Sequence, residues 1–223
     1  MPEPHPTSFV IAVSSVLGGG KTTLVKRTAE LLDGASTLFL DDYEMERPKD
    51  LHNWIRDGAD MNEWKTPQFV RDVRALRNGE SIVYPVGGTI VQPTEYVVIE
   101  DPMGRTRDEI AENIDLMVFI DTPIGIGLVR QLLRDYIDHT TPENMENATK
   151  EEYAQKIIEV LTSMKSWLHL YLDVFGEAYG EALRQVKPSC DLVLDWRLQV
   201  DEMAKQIAAA AKEGQGRLKN QCI

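Results

Sequence analysis

The segment from Ser14 to Thr23, Ser-Ser-Val-Leu-Gly-Gly-Gly-Lys-Thr-Thr, constrains the fold of this chain more than any other segment. The apolar run Phe9–Val13 before it predicts a buried strand, and Thr22–Leu32 after it carries apolar residues on one helical face. Successive glycines let the backbone curl until its N–H groups point inward, and the helix N-terminus adds the positive end of its dipole. Strand, glycine turn and helix in this order are typical of a phosphate-binding loop (P-loop) in a parallel α/β sheet.

The residues of this loop predict a nucleotide site for ATP and Mg²⁺. Lys21 is expected to reach the β- and γ-phosphates, and the Thr22 hydroxyl is expected to bind Mg²⁺ as a metal ligand. The motif G-x-x-x-x-G-K-[ST] has glycine at its first position, where this chain has Ser15. A glycine turn that only connects strand to helix is the alternative. The predicted cofactor-binding residues of the loop are Ser15, Gly18, Gly19, Gly20, Lys21, Thr22 and Thr23.

Acidic residues follow three of the predicted strands: Asp41 the second, Glu100 the third and Asp121 the fourth. Ligands of parallel α/β sheets lie beyond the carboxyl ends of the strands. Phosphoryl transfer to an alcohol needs a carboxylate that accepts the hydroxyl proton, and an acidic group that positions the metal. We predict that Asp41 is the catalytic base and that Glu100 binds the metal. Capping of the next helix explains Asp121, and a capping or turn role is the alternative for the other two.

The whole pattern predicts an α/β P-loop NTPase fold, with residues 1–223 in a single P-loop kinase domain. Two apolar stretches around Gly87 and Gly88 predict a hairpin within a substrate-side insertion at approximately 41–95. Helices are expected at 66–79, after Pro123, at 149–181 and at 200–211, with a polar, disordered tail after Glu213. A five-stranded parallel sheet flanked by these helices is predicted from the buried runs Phe9–Val13, Thr37–Leu40, Tyr96–Ile99, Leu116–Ile120 and Leu192–Leu194.

In the long helix, an apolar stripe at helical spacing is expected to face the core. It consists of Tyr153, Ile157, Leu161, Met164, Leu168 and Tyr171.

Two arginines one helical turn apart, Arg130 and Arg134, predict a small helical lid at approximately 130–150. Phosphoryl transfer needs cations that neutralise the γ-phosphate and exclude water. We expect Arg134 to act catalytically there and Arg130 to bind the nucleotide, with a solvated helix face as the alternative. Trp196 and Arg197, just beyond the last strand, are candidates for stacking on adenine.

The net charge of −12 argues against a general affinity for nucleic acid or for an anionic membrane. No apolar run approaches the ~20 residues that span a bilayer, and the N-terminal residues are Pro-rich and polar. Cys190 and Cys222 lie far apart and have no metal-ligand spacing. We therefore predict a cytoplasmic protein whose partner is a small-molecule phosphate acceptor, with homodimer formation left open.

These motifs together resemble the uridine kinase and phosphoribulokinase group of P-loop kinases over roughly Phe9 to Asp195. The turn Gly20-Lys21-Thr22-Thr23 matches, and Asp41-Asp42-Tyr43 is similar to the Asp-x-[Phe/Tyr] segment that carries the family's catalytic aspartate. The segment at 63–69 resembles the acidic-aromatic stretch that leads to Pro-x-x-Phe. The resemblance implies transfer of the γ-phosphate of Mg-ATP to a hydroxyl of a nucleoside, a sugar phosphate or a similar alcohol.

The chain departs from this family in its substrate half. Lys65 stands where uridine kinases have an aspartate that contacts the sugar, and Glu100-Asp101 replaces their Glu-Gly pair. The hairpin segment Pro85-Val86-Gly87-Gly88 has no histidine near it.

Two other function classes are compatible with the sequence. Asp101-Pro102-Met103-Gly104 matches the D-x-x-G motif of GTPases, although the chain has no Asn-Lys-x-Asp for guanine. A non-catalytic nucleotide-binding protein is suggested by Ser15 and by the altered substrate motifs. Nucleotide preference and acceptor-dependent turnover distinguish both classes from a kinase.

Overall fold

A five-stranded parallel sheet forms the centre of the computed structural model, which describes residues 8–141 and 149–221. The strand order is β2-β5-β1-β6-β7, and every neighbouring pair is parallel. The predicted α/β class and parallel sheet are thereby confirmed. The strands of this sheet are β1 (Phe9–Ser15), β2 (Ser36–Phe39), β5 (Tyr96–Glu100), β6 (Leu116–Ile120) and β7 (Leu192–Leu194).

Helices cover both faces of the sheet because successive strand side chains point to opposite sides. In β1, Val10 and Ala12 belong to the core on the face covered by α3 and α7, whereas Ile11 and Val13 belong to the core beneath α1 and α8. The helices are α1 (Lys21–Leu31), α2 (Leu51–Arg56), α3 (Pro67–Arg77), α4 (Asp108–Ala111), α5 (Ile124–Leu132), α6 (Lys150–Leu170), α7 (Gly176–Val186) and α8 (Val200–Gln221).

The predicted hairpin is present as a separate antiparallel pair, β3 (Ile82–Val83) and β4 (Ile90–Val91). Its turn contains Gly87 and Gly88, both with positive φ, which glycine adopts without steric cost. The predicted lid at 130–150 includes residues 142–148, and these lie outside the described residues, as do the N-terminal residues 1–7 and Cys222. No helix in the described part of the chain is both long enough and apolar enough to cross a membrane.

Two predictions about helices are wrong. The last helix does not end at Ala211 with a disordered tail, since α8 continues to Gln221. Packing against the sheet explains the extension. A Cβ atom added at Gly214 would lie 2.9 Å from the ring of Phe9, and the Tyr96 hydroxyl donates a hydrogen bond to Gln215 Oε1 at 2.7 Å.

The apolar stripe of the long helix is also not a core stripe. A π-helical turn at Tyr171–Phe175 divides this helix into α6 and α7, and no residue of α6 is buried. Leu161 is 51% exposed. The physical reason is that α6 packs on a π-helical turn at Leu133–Ile137, which follows α5, and not on the sheet.

A buried ion pair joins the loop after β5 to the start of α3. Asp101 Oδ2 and Arg107 Nη2 lie 2.7 Å apart, and both side chains are fully buried. Arg107 Nη1 also donates to Thr66 Oγ1 at 2.6 Å. The other carboxylate oxygen of Asp101 accepts hydrogen bonds from the backbone N–H groups of Met103 and Gly104. This pair therefore fixes two segments that lead into the edge of the sheet where the strands end.

We predict that Arg107→Met lowers the free energy of unfolding by about 3–5 kcal/mol, because it leaves the Asp101 carboxylate buried without a counter-charge. Urea-induced unfolding measures the loss. Arg27→Met is the control, since Arg27 forms an exposed ion pair with Asp201, and its loss is expected to be much smaller. Equal losses in the two variants would contradict the prediction.

Candidate active site

The P-loop connects β1 to α1 through glycines in the left-handed conformation. Gly18 has φ 61° and Gly20, the N-cap of α1, has φ 97°. Lys21 and Thr22 are therefore the first two residues of the helix, where backbone N–H groups have no partner within the helix. Lys21 Nζ reaches back across the loop and donates to the Val16 carbonyl oxygen at 3.3 Å. The loop has the geometry of an anion-binding helix N-terminus.

Ser15 fits the first position of the motif because its backbone is extended. It is the last residue of β1 and pairs with Ile120 of β6, so a left-handed glycine is not required there. Its hydroxyl donates to the Ile120 carbonyl oxygen at 2.8 Å. A Cβ atom added at Gly19 would lie 2.0 Å from this hydroxyl oxygen. The Ser15 side chain therefore links the P-loop to β6, and its contact with the nucleotide stays a prediction.

A carboxylate, a hydroxyl and an ammonium group meet at the end of β5. Thr22 Oγ1 donates to Glu100 Oε2 at 2.7 Å, and Lys21 Nζ lies 3.8 Å from Glu100 Oε1. Burial lowers the pKa of Lys21 and Arg134 lowers it further, whereas the charges of Glu100 and Asp41 oppose the fall. The predicted metal-binding pair, Thr22 and Glu100, is thus brought together.

Two adjacent oxygen ligands suit Mg²⁺, which usually binds one or two protein groups and completes its shell with water and substrate phosphates. A cluster of three or more His, Cys, Asp or Glu side chains does not occur among the described residues. Binding of a nucleotide-bound magnesium ion by Thr22 and Glu100 stays a prediction, and the two oxygen groups fit it.

Asp41 lies two residues beyond the end of β2 and directly after the buried Leu40, in a 3₁₀ turn at Leu40–Asp42. The neighbouring Asp42 accepts a hydrogen bond from the Tyr84 hydroxyl at 2.5 Å, and burial is the main cause that raises the pKa of Tyr84. Asp41 itself has no hydrogen bond or ion pair with any described residue. Of the two aspartates, Asp41 is the one whose carboxylate is free to accept a proton.

A cavity of about 540 Å³ extends from the P-loop past Asp41. The sequence indicated that the polar stretch after Asp41 holds a substrate, but it did not identify the residues that line the far side. Trp54 and Trp64 meet there edge to face, with ring centroids 5.6 Å apart. The wall beyond Asp41, which we call the acceptor wall, consists of Met45, Arg47, Trp54, Met61, Trp64, Met103, Phe175 and Tyr179.

A second cavity of about 520 Å³ lies on the other side of Asp41, against the hairpin. Asp41, Thr22 and Glu100 line both cavities, so the predicted base and metal ligands stand between them. The remaining wall of this cavity comes from Lys26, Thr37, Phe39, Asp42, Tyr84, Thr89 and Val91.

The two predicted lid arginines also line the first cavity. The Arg130 guanidinium lies over the ring of Trp196, 5.3 Å from its centroid, and Arg197 lies 5.2 Å from the same centroid. Arg134 Nε and Asp135 Oδ1 lie 2.6 Å apart, and this pairing raises the pKa of Arg134. The charges of Asp41 and Glu100 raise the pKa of Arg134 further. Stacking of Trp196 on adenine stays a prediction.

Helix α5 carries Arg130 and leads into the π-helical turn that carries Arg134. It approaches the P-loop without any intervening side chain. A Cβ atom added at Gly18 would lie 2.0 Å from the Gly127 carbonyl oxygen, and one added at Gly127 would lie 2.1 Å from the Leu17 carbonyl oxygen. Thr122, just before α5, donates to the Gly19 carbonyl oxygen at 3.2 Å. The distance between the phosphate-binding backbone and the arginines is therefore set by contact between two glycines.

We predict that Gly127→Ala lowers the rate of the predicted phosphoryl transfer, followed as ADP formed from Mg-ATP, about 10- to 100-fold. The reason is that a displacement of α5 by about 1 Å misplaces the guanidinium groups. A steady-state assay measures the rate. Gly125→Ala is the matched control, since a Cβ atom there meets nothing within 4 Å.

An Arg134→Ala background distinguishes mispositioning from unfolding. In that background, Gly127→Ala is expected to cause little further loss of rate. A full additional loss, or an equal effect of Gly125→Ala, would show that the glycine contact does not act through this arginine.

Comparison with known proteins shows similarity to uridine kinases, although no family model matches the chain. The uridine kinase of Halobacterium salinarum is 25% identical over 146 residues, which are 59% of this chain and 64% of that protein. The uridine kinase of Borrelia duttonii is 26% identical over 56% of this chain and 66% of its own length. That of Deinococcus deserti is 29% identical over 63% of this chain and 75% of its own length. The match thus spans just under two thirds of the first two relatives.

Two solved structures resemble the chain at lower identity. A possible uridine kinase from Bacillus stearothermophilus has a TM-score of 0.45 and 15% identity, covering 84% of this chain and 89% of its own. A gluconokinase from Sinorhizobium meliloti has a TM-score of 0.45 and 13% identity, covering 97% of this chain and 98% of its own.

Proposed function

We propose that this chain, which is related to the uridine kinase-like P-loop kinases, is a small-molecule kinase that transfers the γ-phosphate of ATP to an alcohol. In this proposal residues 1–223 form one kinase domain. One observation carries it: the carboxylate of Asp41 has no partner among the described residues and stands between two cavities, beside the Lys21, Thr22 and Glu100 centre.

In the proposed mechanism the P-loop backbone binds the β- and γ-phosphates, and Lys21 balances their charge. Asp41 accepts the proton of the acceptor hydroxyl while the oxygen of that hydroxyl forms a bond to the γ-phosphorus. The bond from the γ-phosphorus to the bridging oxygen breaks in line, and ADP leaves. Thr22 and Glu100 would hold Mg²⁺, which stabilises negative charge on the phosphates when bound. Arg134 approaches the γ-phosphate from the π-helical turn after α5 and excludes water.

The contacts of Asp101 favour a kinase over a GTPase. In a D-x-x-G switch segment this aspartate faces the nucleotide, whereas here both of its carboxylate oxygens are used within the fold. Ser15 also does not favour a non-catalytic protein. Its backbone is extended as part of β1, so the loop does not need glycine at this position.

We predict that Asp41→Asn keeps ATP affinity but loses turnover by about 10²-fold or more, because the amide cannot accept the acceptor proton. ADP release from Mg-ATP is measured with a panel of nucleosides, sugar phosphates and vitamin alcohols, with GTP run in parallel. Asp42→Asn is the matched control, since the amide oxygen can still accept the hydrogen bond from Tyr84. Near-normal turnover in Asp41→Asn would remove Asp41 from the role of base.

We predict that Lys21→Ala weakens ATP binding and turnover together, because it removes the cation that contacts the β- and γ-phosphates. Titration calorimetry with a non-hydrolysable ATP analogue measures the affinity. Lys26→Ala is the control on the same helix, because Lys26 lies over the ring of Phe39 and does not line the P-loop cavity. Unchanged affinity in Lys21→Ala would contradict the nucleotide site.

A further inference from the structure

Arg47 occupies a fixed position on the acceptor wall. The backbone of Glu46 exchanges two hydrogen bonds with that of Lys65, at 2.9 and 3.1 Å, as an isolated antiparallel bridge. Side chains alternate along an extended segment. Met45 and Arg47 both line the cavity, whereas Glu46 between them does not. The bridge therefore directs the Arg47 side chain to the cavity although it lies on a loop.

The guanidinium of Arg47 has no counter-charge in the described part of the chain. It forms no ion pair or hydrogen bond there, unlike Arg105 and Arg107, which are each bound to aspartates. The other described side chains of the acceptor wall are aromatic rings or thioethers. Asp41 and Glu100 are the only acids among the described residues that line the cavity, and they lie beside Lys21 of the P-loop.

The charges of Arg47 and Asp41 act on the same point of the cavity. Burial raises the pKa of the Tyr179 hydroxyl, Tyr171 and Asp41 raise it further, and Arg47 opposes the rise. The charges of Asp41 and Arg47 therefore both act on the Tyr179 hydroxyl. Asp41, Tyr179 and Arg47 line one cavity, so an acceptor that presents its hydroxyl to Asp41 can reach Arg47 with another group.

We infer that the acceptor is a hydroxy carboxylate with an apolar body, and that Arg47 binds its carboxylate. This inference rests on the proposed function. The planar guanidinium can bind a carboxylate through two parallel hydrogen bonds, which gives both charge and orientation. A single arginine matches the single negative charge of a carboxylate better than the double charge of a phosphate monoester. The aromatic and thioether groups contact the apolar body.

The test measures ADP release with matched acceptors: apolar hydroxy carboxylates, their primary amides, phosphate monoesters of the corresponding diols, and neutral nucleosides. We expect the carboxylates to stimulate the wild-type protein most. Arg47→Gln is expected to raise their KM about 10- to 100-fold, as loss of a charged hydrogen-bond partner does, with kcat and ATP affinity nearly unchanged. Arg56→Gln is the control, because Arg56 lies on α2 beside Asp57 and does not line the cavity.

The carboxylate inference is overturned if the amides stimulate ADP formation as well as the carboxylates do, or if phosphate monoesters or nucleosides stimulate it more. In these cases the proposed kinase activity is retained. Binding is followed separately through the fluorescence of Trp54 and Trp64, with the same carboxylates added to the Mg-ADP complex. A change in the wild-type protein that is lost in Arg47→Gln, without turnover, supports the carboxylate site and rejects the kinase. If the carboxylates cause neither turnover nor a fluorescence change, both the carboxylate site and the kinase are overturned.

Discussion

The buried carboxylate of Glu100 is the group on which the rest of the site depends. Parallel pairing sets Glu100 beside Val13, so the end of β5 is in register with the strand that leads into the P-loop. Thr22 and Lys21 meet the carboxylate there. Burial alone would favour a neutral Lys21, and the nearby acids favour its charged form. The Glu100 carboxylate thus brings the Thr22 hydroxyl and the Lys21 amine together at the end of the strand beside the P-loop.

The two glycines Gly18 and Gly127 link this centre to the lid arginines. Hydrogen bonds from Ser15 to β6 and from Thr122 to the P-loop lie on either side of their contact. A side chain at either glycine would separate the two backbones. The P-loop and α5, which leads into the turn that carries Arg134, are therefore in direct backbone contact, and their spacing is a property of backbone packing.

The sequence predicted the parts of the site that depend on local structure. The P-loop and the acids at the strand ends follow from a strand-turn-helix pattern and from the common edge of a parallel sheet. Arg47 was missed because its position depends on a bridge between Glu46 and Lys65, which lie 19 residues apart with no periodic pattern between them. The stripe of α6 was misassigned because amphipathic spacing does not tell whether a helix packs on the sheet or on the exposed turn after α5.

The acceptor side differs from the uridine kinase pattern in the sign of its charge. Where that family has an aspartate for the sugar, this chain has Lys65, whose exposed side chain does not line the cavity and whose backbone holds the Arg47 loop. The chain therefore lacks the family's acid at this position, and the backbone of Lys65 supports Arg47, a cation that lines the cavity. Sugar hydroxyls donate hydrogen bonds and suit a carboxylate, whereas a guanidinium only donates and requires an acceptor. Because Asp41, the predicted base, and the Lys21, Thr22 and Glu100 centre are retained beside the altered motifs, these motifs favour a changed substrate over a lost activity.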